Sequence, residues 1–110
     1  MSQSLHISEH INRSPGEIYA YVSRVENLPS WAKGVTPEMD VRFAEQNPFG
    51  VLDHWATVDG TTFYNPMRVI EDGDGSEITF TLRGVPDIDP DDRAAIAADL
   101  ATLKRILEQA

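Results

Sequence analysis

The sequence predicts an α+β domain in which a curved antiparallel sheet of about five strands wraps one long C-terminal helix, with two short helices after the first strand. Three observations predict it. Residues 5–11 alternate between apolar and polar side chains, which is typical of a half-buried strand. Residues 51–83 carry two hairpin patterns, and residues 90–109 carry an apolar stripe at helical spacing.

The composition fits a single domain over residues 1–110 and argues against several classes of function. The net charge is −9, from 18 acidic and 9 basic residues, so we expect no nucleic-acid partner and no binding to anionic lipid. The chain has no cysteine, which excludes disulfides and suits a reducing cytoplasm. No apolar run is long enough for a membrane span, and the first residues do not resemble a signal peptide.

A helix is predicted directly after the first strand. Ser14 can cap it, Pro15 suits its first position, and Glu17 completes a capping box. A second short helix or turn is expected over residues 26–32, interrupted near Pro29. The order of strand, capped helix and short helix therefore opens the domain.

The strongest strand pattern is a hairpin. Residues 51–58 and 61–70 flank Asp59-Gly60, a favoured two-residue hairpin turn. With those two residues as the loop, the register places His54 opposite Asn65. Further strands are predicted over residues 39–44 and 76–83, with a turn over residues 71–75.

The last element is the long helix. Pro86 and Pro90 break the preceding pattern, and Asp89 can cap a helix that begins at Pro90 and runs to about Gln109. One face of this helix carries the apolar residues Ile96, Leu100, Leu103 and Leu107. We expect that face to lie across the apolar side of the sheet.

Side-chain alternation gives the hairpin two different faces. One face is apolar except for His54 and Asn65 in its middle. The other is more polar and is expected to meet water. The contacts predicted on the polar face are Trp55 with Tyr64 and Asp53 with Arg68. Because Asp53 and His54 are adjacent on a strand, they should point to opposite faces and form no catalytic pair.

Four segments, Phe49–His54, Asn65–Val69, Gly73–Leu82 and Asp99–Lys104, together with the order of elements, resemble the START-like (SRPBCC) helix-grip superfamily. That superfamily includes the major birch pollen allergen and bacterial polyketide cyclase/dehydrase and lipid-transport proteins, and the likeness is to a small bacterial branch. The resemblance implies a helix-grip fold with an apolar cavity between the sheet and the C-terminal helix.

The chain is shorter than the pattern it resembles. Only residues 32–50 separate Trp31 from the strong hairpin, which leaves room for one strand and a turn. A hairpin's worth of sheet is therefore expected to be missing. An unpaired strand edge invites pairing with another copy, so a homodimer through an open sheet edge is a hypothesis.

The leading functional hypothesis is binding of a small hydrophobic or amphipathic molecule, with His54 and Asn65 orienting one polar group of the ligand. The apolar ligand contacts are predicted at Trp31, Leu52, Phe63, Met67, Phe80, Leu100 and Leu103. Trp31 sits where the superfamily places a large side chain at the cavity mouth; simple core packing is the alternative. His54 could equally be a structural histidine, satisfied by Asn65 or by backbone.

Two other functions stay open at this point. One is a polyketide cyclase- or dehydratase-like enzyme with His54 as acid and base, which needs a second titratable group that strand alternation does not supply. The other is a homodimeric interaction module without a ligand. We assign no catalytic residue, cofactor or metal site. His6 and His10 share a strand face but lie ~13 Å apart at strand rise, too far for one metal ion.

Overall fold

A computed structural model describes residues 3–85 and 89–109. Three α-helices and six strands follow the predicted order. In chain order they are β1 (Gln3–Ile11), α1 (Pro15–Val22), a 3₁₀ turn (Val25–Asn27), α2 (Leu28–Trp31), β2 (Asp40–Phe43), β3 (His54–Val58), β4 (Thr61–Asn65), β5 (Met67–Asp72), β6 (Gly75–Val85) and α3 (Pro90–Gln109). The predicted α+β class, with antiparallel strands wrapped on a C-terminal helix, is confirmed.

The strands form two three-stranded antiparallel sheets, in the orders β1-β6-β5 and β2-β3-β4. Residues 61–70, predicted as one strand, divide at Pro66 into β4 and β5 because proline has no N–H to give to the ladder. Backbone hydrogen bonds still hold Pro66 and Met67 to neighbouring segments of the chain. The Leu52 N–H donates to the Met67 carbonyl at 2.9 Å, and the Thr81 N–H donates to the Pro66 carbonyl at 3.0 Å.

The predicted register of the β3–β4 hairpin is confirmed. His54 pairs with Asn65, and Trp55 pairs with Tyr64. Asp59 and Gly60 have φ angles of 51° and 78°, so both loop residues are left-handed, as a type I′ turn requires. That turn matches the twist of the flanking strands and allows only one register.

A second close backbone contact fixes the loop before β3. Gly50 has φ of 71°, and its carbonyl accepts the Val69 N–H at 3.0 Å. The turn between β5 and β6 is likewise tight, since Asp72 pairs with Gly75. The turn predicted over residues 71–75 is therefore confirmed as a hairpin turn.

Helix starts follow the predicted capping chemistry. The Ser14 hydroxyl accepts the Glu17 N–H at 3.2 Å and donates to the Glu17 carboxylate at 3.1 Å. The segment predicted over residues 26–32 is divided next to Pro29, into the 3₁₀ turn that ends at Asn27 and the helix α2 that begins at Leu28. Pro29 lies in the first turn of α2, where its missing N–H costs nothing. Asp89 accepts the Asp91 N–H at 2.8 Å at the start of α3. The predicted break at Pro86 lies outside the described residues.

The core lies between the β1-β6-β5 sheet and α3, which also packs against α2. Its fully buried members include Ile11, Ile18, Ile78, Leu100 and Leu103. The stripe predicted on α3 is therefore the buried face of that helix. Within residues 3–85 and 89–109, no helix combines the length and apolarity needed to cross a membrane.

Candidate functional site

A cavity of about 510 Å³ opens beside α3, between that helix, α2 and the β3–β4 hairpin. Its size falls within the ~300–1,000 Å³ that small-molecule sites usually have. Its wall is mostly apolar. The lining residues are Leu28, Trp31, Ala32, Lys33, Gly34, Val35, Met39, His54, Ala56, Phe63, Asn65, Phe80, Leu82, Asp92, Ala95, Ile96, Ala98, Asp99 and Leu100. Few polar groups on an apolar wall are what an amphipathic ligand requires.

His54 is the central polar residue of this wall. It is only 6% exposed, and its ring lies 4.9 Å from the Phe43 ring and 6.2 Å from the Phe80 ring, between centroids. Its Nδ1 lies 3.1 Å from the Leu52 carbonyl oxygen. A carbonyl oxygen can only accept, so Nδ1 carries the proton and Nε2 of the neutral ring is an acceptor.

Burial lowers the pKa of His54, opposed by the Leu52 hydrogen bond and by the charge of Asp53. The ring is therefore neutral at pH 7. Its structural hydrogen bond goes to backbone, one of the two possibilities the sequence left open. Asn65 stands opposite His54 in the hairpin and also lines the cavity, as the register predicted.

Trp31 forms part of the same wall and is 5% exposed. Its indole Nε1–H is buried and has no hydrogen-bond partner among the described residues. A buried donor left unpaired costs about 1–3 kcal/mol. Trp31 therefore combines both roles considered from the sequence, since it is a core residue that also lines the cavity.

Asp99, on α3, is a titratable residue of the cavity wall that was not predicted from the sequence. It lines the cavity and accepts the Lys33 backbone N–H at 3.3 Å. Burial raises its pKa, opposed by the hydrogen bond from Lys33 and by the Lys33 charge. Strand alternation could not find this group because it belongs to a helix. Its spacing from Ile96 and Leu103, three and four residues away, would have placed it on the buried side.

The predicted ligand contacts divide into two groups. Six of them line the cavity: Trp31, His54, Phe63, Asn65, Phe80 and Leu100. Leu52, Met67 and Leu103 are at most 1% exposed and lie in the core, outside the lining. Phe63 is 53% exposed, so one wall of the cavity is open to solvent.

The opposite face of the hairpin carries a separate polar cluster around Asp53. Asp53 accepts the Tyr64 hydroxyl at 2.5 Å and the Met67 N–H at 2.9 Å, and it also pairs with Arg68. The predicted Asp53–Arg68 pair is confirmed. The expectation that this face meets water is wrong for Asp53, which is 6% exposed, because Tyr64 and Arg68 cover it.

The aromatic side chains of Tyr64 and Trp55 are linked to this cluster. The hydrogen bond to Asp53 raises the pKa of Tyr64, with smaller contributions from burial and from the Asp53 charge, and against the influence of Arg68. The predicted stacking of Trp55 on Tyr64 is also confirmed, with ring centroids 5.3 Å apart and planes 20° from parallel. Asp53 thus forms its contacts on the outer face of the hairpin, whereas His54 lines the cavity.

The residues that the structure describes contain no cluster of three histidine or acidic side chains able to hold a metal ion. His6 and His10 have separate partners instead. His6 Nδ1 lies 2.8 Å from the Thr81 hydroxyl, and His10 Nδ1 lies 3.0 Å from the Asp72 carboxylate. His6 therefore links the adjacent strands β1 and β6, and His10 links β1 to the end of β5 on the far side of β6.

The fold is similar to those of several solved structures. The Aha1 dimer from Colwellia psychrerythraea has a TM-score of 0.73 at 14% identity, with 96% of each chain covered. An AHSA1-like protein from Rhizobium etli has a TM-score of 0.65 at 18% identity, covering 98% of this chain and 83% of that one. CalU16 from Micromonospora echinospora has a TM-score of 0.68 at 12% identity, covering 96% and 74%.

These likenesses show the fold, because all three identities lie below 25%. No protein-family model matches the sequence, and no curated protein matches it. The fold is the START-like helix-grip fold, as the resemblance implied.

Proposed function

We propose that this START-like helix-grip chain binds an apolar or amphipathic small molecule between its sheet and α3. The observation that carries the proposal is the open cavity of about 510 Å³, whose wall is mostly apolar. Its polar groups are few and come from three different elements. Such a wall binds by covering apolar surface and orients the ligand by one or two hydrogen bonds.

Phe63 illustrates where binding energy would come from. An aromatic side chain presents ~150–250 Å², and Phe63 is 53% exposed, so a ligand that covers it removes roughly 100 Å² from water. At ~25 cal/mol per Å², this is worth about 2.5 kcal/mol before the ligand's ordering costs. Trp31, Phe80 and Leu100 supply the remaining apolar contacts of the proposal, and His54 and Asn65 supply the polar ones.

Native mass spectrometry of the protein purified from its own host tests the proposal. We expect a retained small molecule that is released on denaturation. A matched pair of variants tests where the molecule binds, because two neighbouring alanines of α3 differ in whether they line the cavity. Ala98 is exposed and lines the cavity, whereas Ala97 is exposed and lies outside the lining. Ala98→Trp should fill the cavity and abolish retention, and Ala97→Trp should retain the molecule as wild type does.

A chain that carries no molecule from its host, and that binds no apolar probe in vitro, would contradict the proposal. Equal retention by Ala98→Trp and Ala97→Trp would place the bound molecule elsewhere. Both variants change the same residue type on the same helix, so a general effect of tryptophan would appear in both.

A second candidate is enzymatic, of the polyketide cyclase or dehydratase type. Asp99 favours it, because it brings a second titratable group to the cavity of His54. The pKa of His54 is lowered by burial and that of Asp99 is raised by burial, which suits a base and an acid. Conversion of the retained molecule, followed by NMR across pH, should stop in His54→Ala and in Asp99→Asn. Unchanged turnover in both variants would exclude this mechanism.

A third candidate is a homodimer. In the described strands, β1 and β2 each lie at the edge of a sheet, which favours pairing with a second copy. Against it, Asp40 and Arg42 form a 3.2 Å ion pair on β2, and charged side chains discourage edge pairing. Light scattering at high concentration decides, since a monomer mass would rule the dimer out.

We also propose a cytoplasmic location, which the lack of cysteine supports because it suits a reducing compartment.

A further inference from the structure

We infer that the cavity takes an uncharged amphiphile carrying a hydrogen-bond donor, and that it excludes molecules with a carboxylate, sulfonate or phosphate group. This inference rests on the proposed function, because it assumes that the cavity is the binding site. It concerns the chemistry of the polar groups on the wall, which the fold alone does not determine.

On the described part of the cavity wall, the polar side chains that come from the β3–β4 hairpin are uncharged, and one of them is an acceptor. His54 uses Nδ1–H on the Leu52 carbonyl, which leaves Nε2 as an acceptor on a ring that lines the cavity. Asn65 adds an amide that can accept or donate. A hydroxyl or amine N–H is therefore matched by the wall, whereas an anion would meet an acceptor lone pair.

The rim contributed by α3 is acidic. Asp92 and Asp99 lie seven residues apart, on the same side of the helix, and both line the cavity. Among the described lining residues Lys33 is the one with a cationic side chain; its backbone N–H donates to Asp99 at 3.3 Å, and its side chain is exposed to solvent. The rim therefore has two carboxyl groups for one ammonium group, in a chain of net charge −9.

An anionic ligand would consequently lose its water in a cavity whose described rim carries more carboxyl groups than ammonium groups. Transfer of a charge into an apolar site is costly unless the charge is paired and hydrogen-bonded. Among the described lining residues the one ammonium group, that of Lys33, is exposed to solvent and belongs to a rim that also carries two carboxyl groups. Repulsion from the acidic chain also slows the approach of anions at low salt.

A pair of fluorescent dyes that differ by a single charged group tests the inference. N-phenyl-1-naphthylamine is neutral and has one N–H donor, and 8-anilino-1-naphthalenesulfonate has the same skeleton with an added sulfonate. At pH 7 and about 0.01 M ionic strength, where the screening length is ~30 Å, the neutral dye should bind at least tenfold more tightly. Tenfold corresponds to 1.4 kcal/mol. At 1 M salt, where the screening length is ~3 Å, the difference should shrink.

Variants assign the discrimination to the named groups. Replacing Asp92 and Asp99 together by Asn removes both charges and keeps an acceptor for the Lys33 N–H, so the difference between the dyes should fall at least threefold. Asp91→Asn is the matched control, because Asp91 is exposed on α3 and lies outside the lining. It should leave the difference unchanged. His54→Leu should weaken binding of the neutral dye at least threefold, since its N–H loses the acceptor.

The outcomes separate the inference from the proposed function. Equal affinity for the two dyes, or tighter binding of the sulfonate, overturns the inference while the cavity stays a binding site. Failure of either dye to bind overturns the proposed function and the inference with it. Full affinity of His54→Leu for the neutral dye overturns the assignment of the donor contact.

Discussion

Replacing Asp53 by alanine should destabilise the fold by about 2–4 kcal/mol, a large effect for one polar residue. The Met67 N–H, in a residue that is 1% exposed, would lose its acceptor. An unpaired buried donor costs about 1–3 kcal/mol. The loss of the Tyr64 hydrogen bond adds about 0.5–1 kcal/mol, because water can partly replace it.

The ion pair with Arg68 adds less. The Arg68 side chain is 48% exposed, so solvent screens the pair and its contribution is about 0.2–1 kcal/mol. Removing a buried carboxylate also relieves its desolvation, which keeps the total near the middle of the range. Urea unfolding measures the change. With a slope of about 1.5 kcal/mol per M, a loss of 3 kcal/mol moves the midpoint down by about 2 M.

A carboxylate on the surface provides the control. Asp40 pairs with Arg42 at 3.2 Å, but both side chains are largely exposed, so Asp40→Ala should change stability by no more than about 0.5 kcal/mol. Asp53→Asn should fall between the two, because its amide oxygen can still accept the Met67 N–H. If Asp53→Ala unfolds within 1 kcal/mol of wild type, the cluster around Asp53 does not hold the sheet as we describe.

Three further predictions concern other parts of the fold. Gly50→Ala should lower the free energy of unfolding in urea by at least about 3 kcal/mol, because a Cβ at its positive φ would overlap the Val69 carbonyl. Gly60→Ala is the control, since Gly60 also has a positive φ but lies in open space, and it should cost only about 1 kcal/mol. Equal losses in the two variants would contradict this prediction. Leu103→Ala should cost about 2–5 kcal/mol, since Leu103 is 0% exposed, and a smaller loss would mean that the helix repacks easily. Burial lowers the pKa of His54, so between pH ~6.5 and the lower pKa of the folded chain the unfolded chain binds more protons. The free energy of unfolding should therefore decrease as the pH falls through that range, by up to ~1.4 kcal/mol per pH unit. His54→Phe should lack this contribution when urea midpoints at pH 7.5 and pH 5 are compared with those of wild type, and an unchanged pH dependence would show that the ring is not held neutral.

Local chemistry made the hairpin predictable. Asp59-Gly60 allows a tight turn with one register, and that register determines that His54 opposes Asn65 and that Trp55 stacks on Tyr64. The face of each strand residue then follows from alternation. For the same reason the apolar stripe of α3 and the capping of α1 could be predicted from short-range spacing.

The features that could not be predicted from the sequence depend on how separate helices and strands pack against one another. Asp53 is buried because Tyr64 and Arg68 fold over it, which alternation within one strand cannot show. Asp99 reaches the cavity of His54 only once α3 is placed on the sheet. Leu103 was expected at the cavity but lies in the core, since one face of a helix can serve both regions at different depths.

The joint at Pro66 gives the cavity a means of adjustment that lies outside its own wall. Asp53 holds Tyr64 on one side of that joint and Met67 and Arg68 on the other, so it sets the angle between the two sheets. A substitution on this outer face can therefore widen or narrow the cavity while every lining residue stays the same. The width of the cavity thus depends on residues that do not line it.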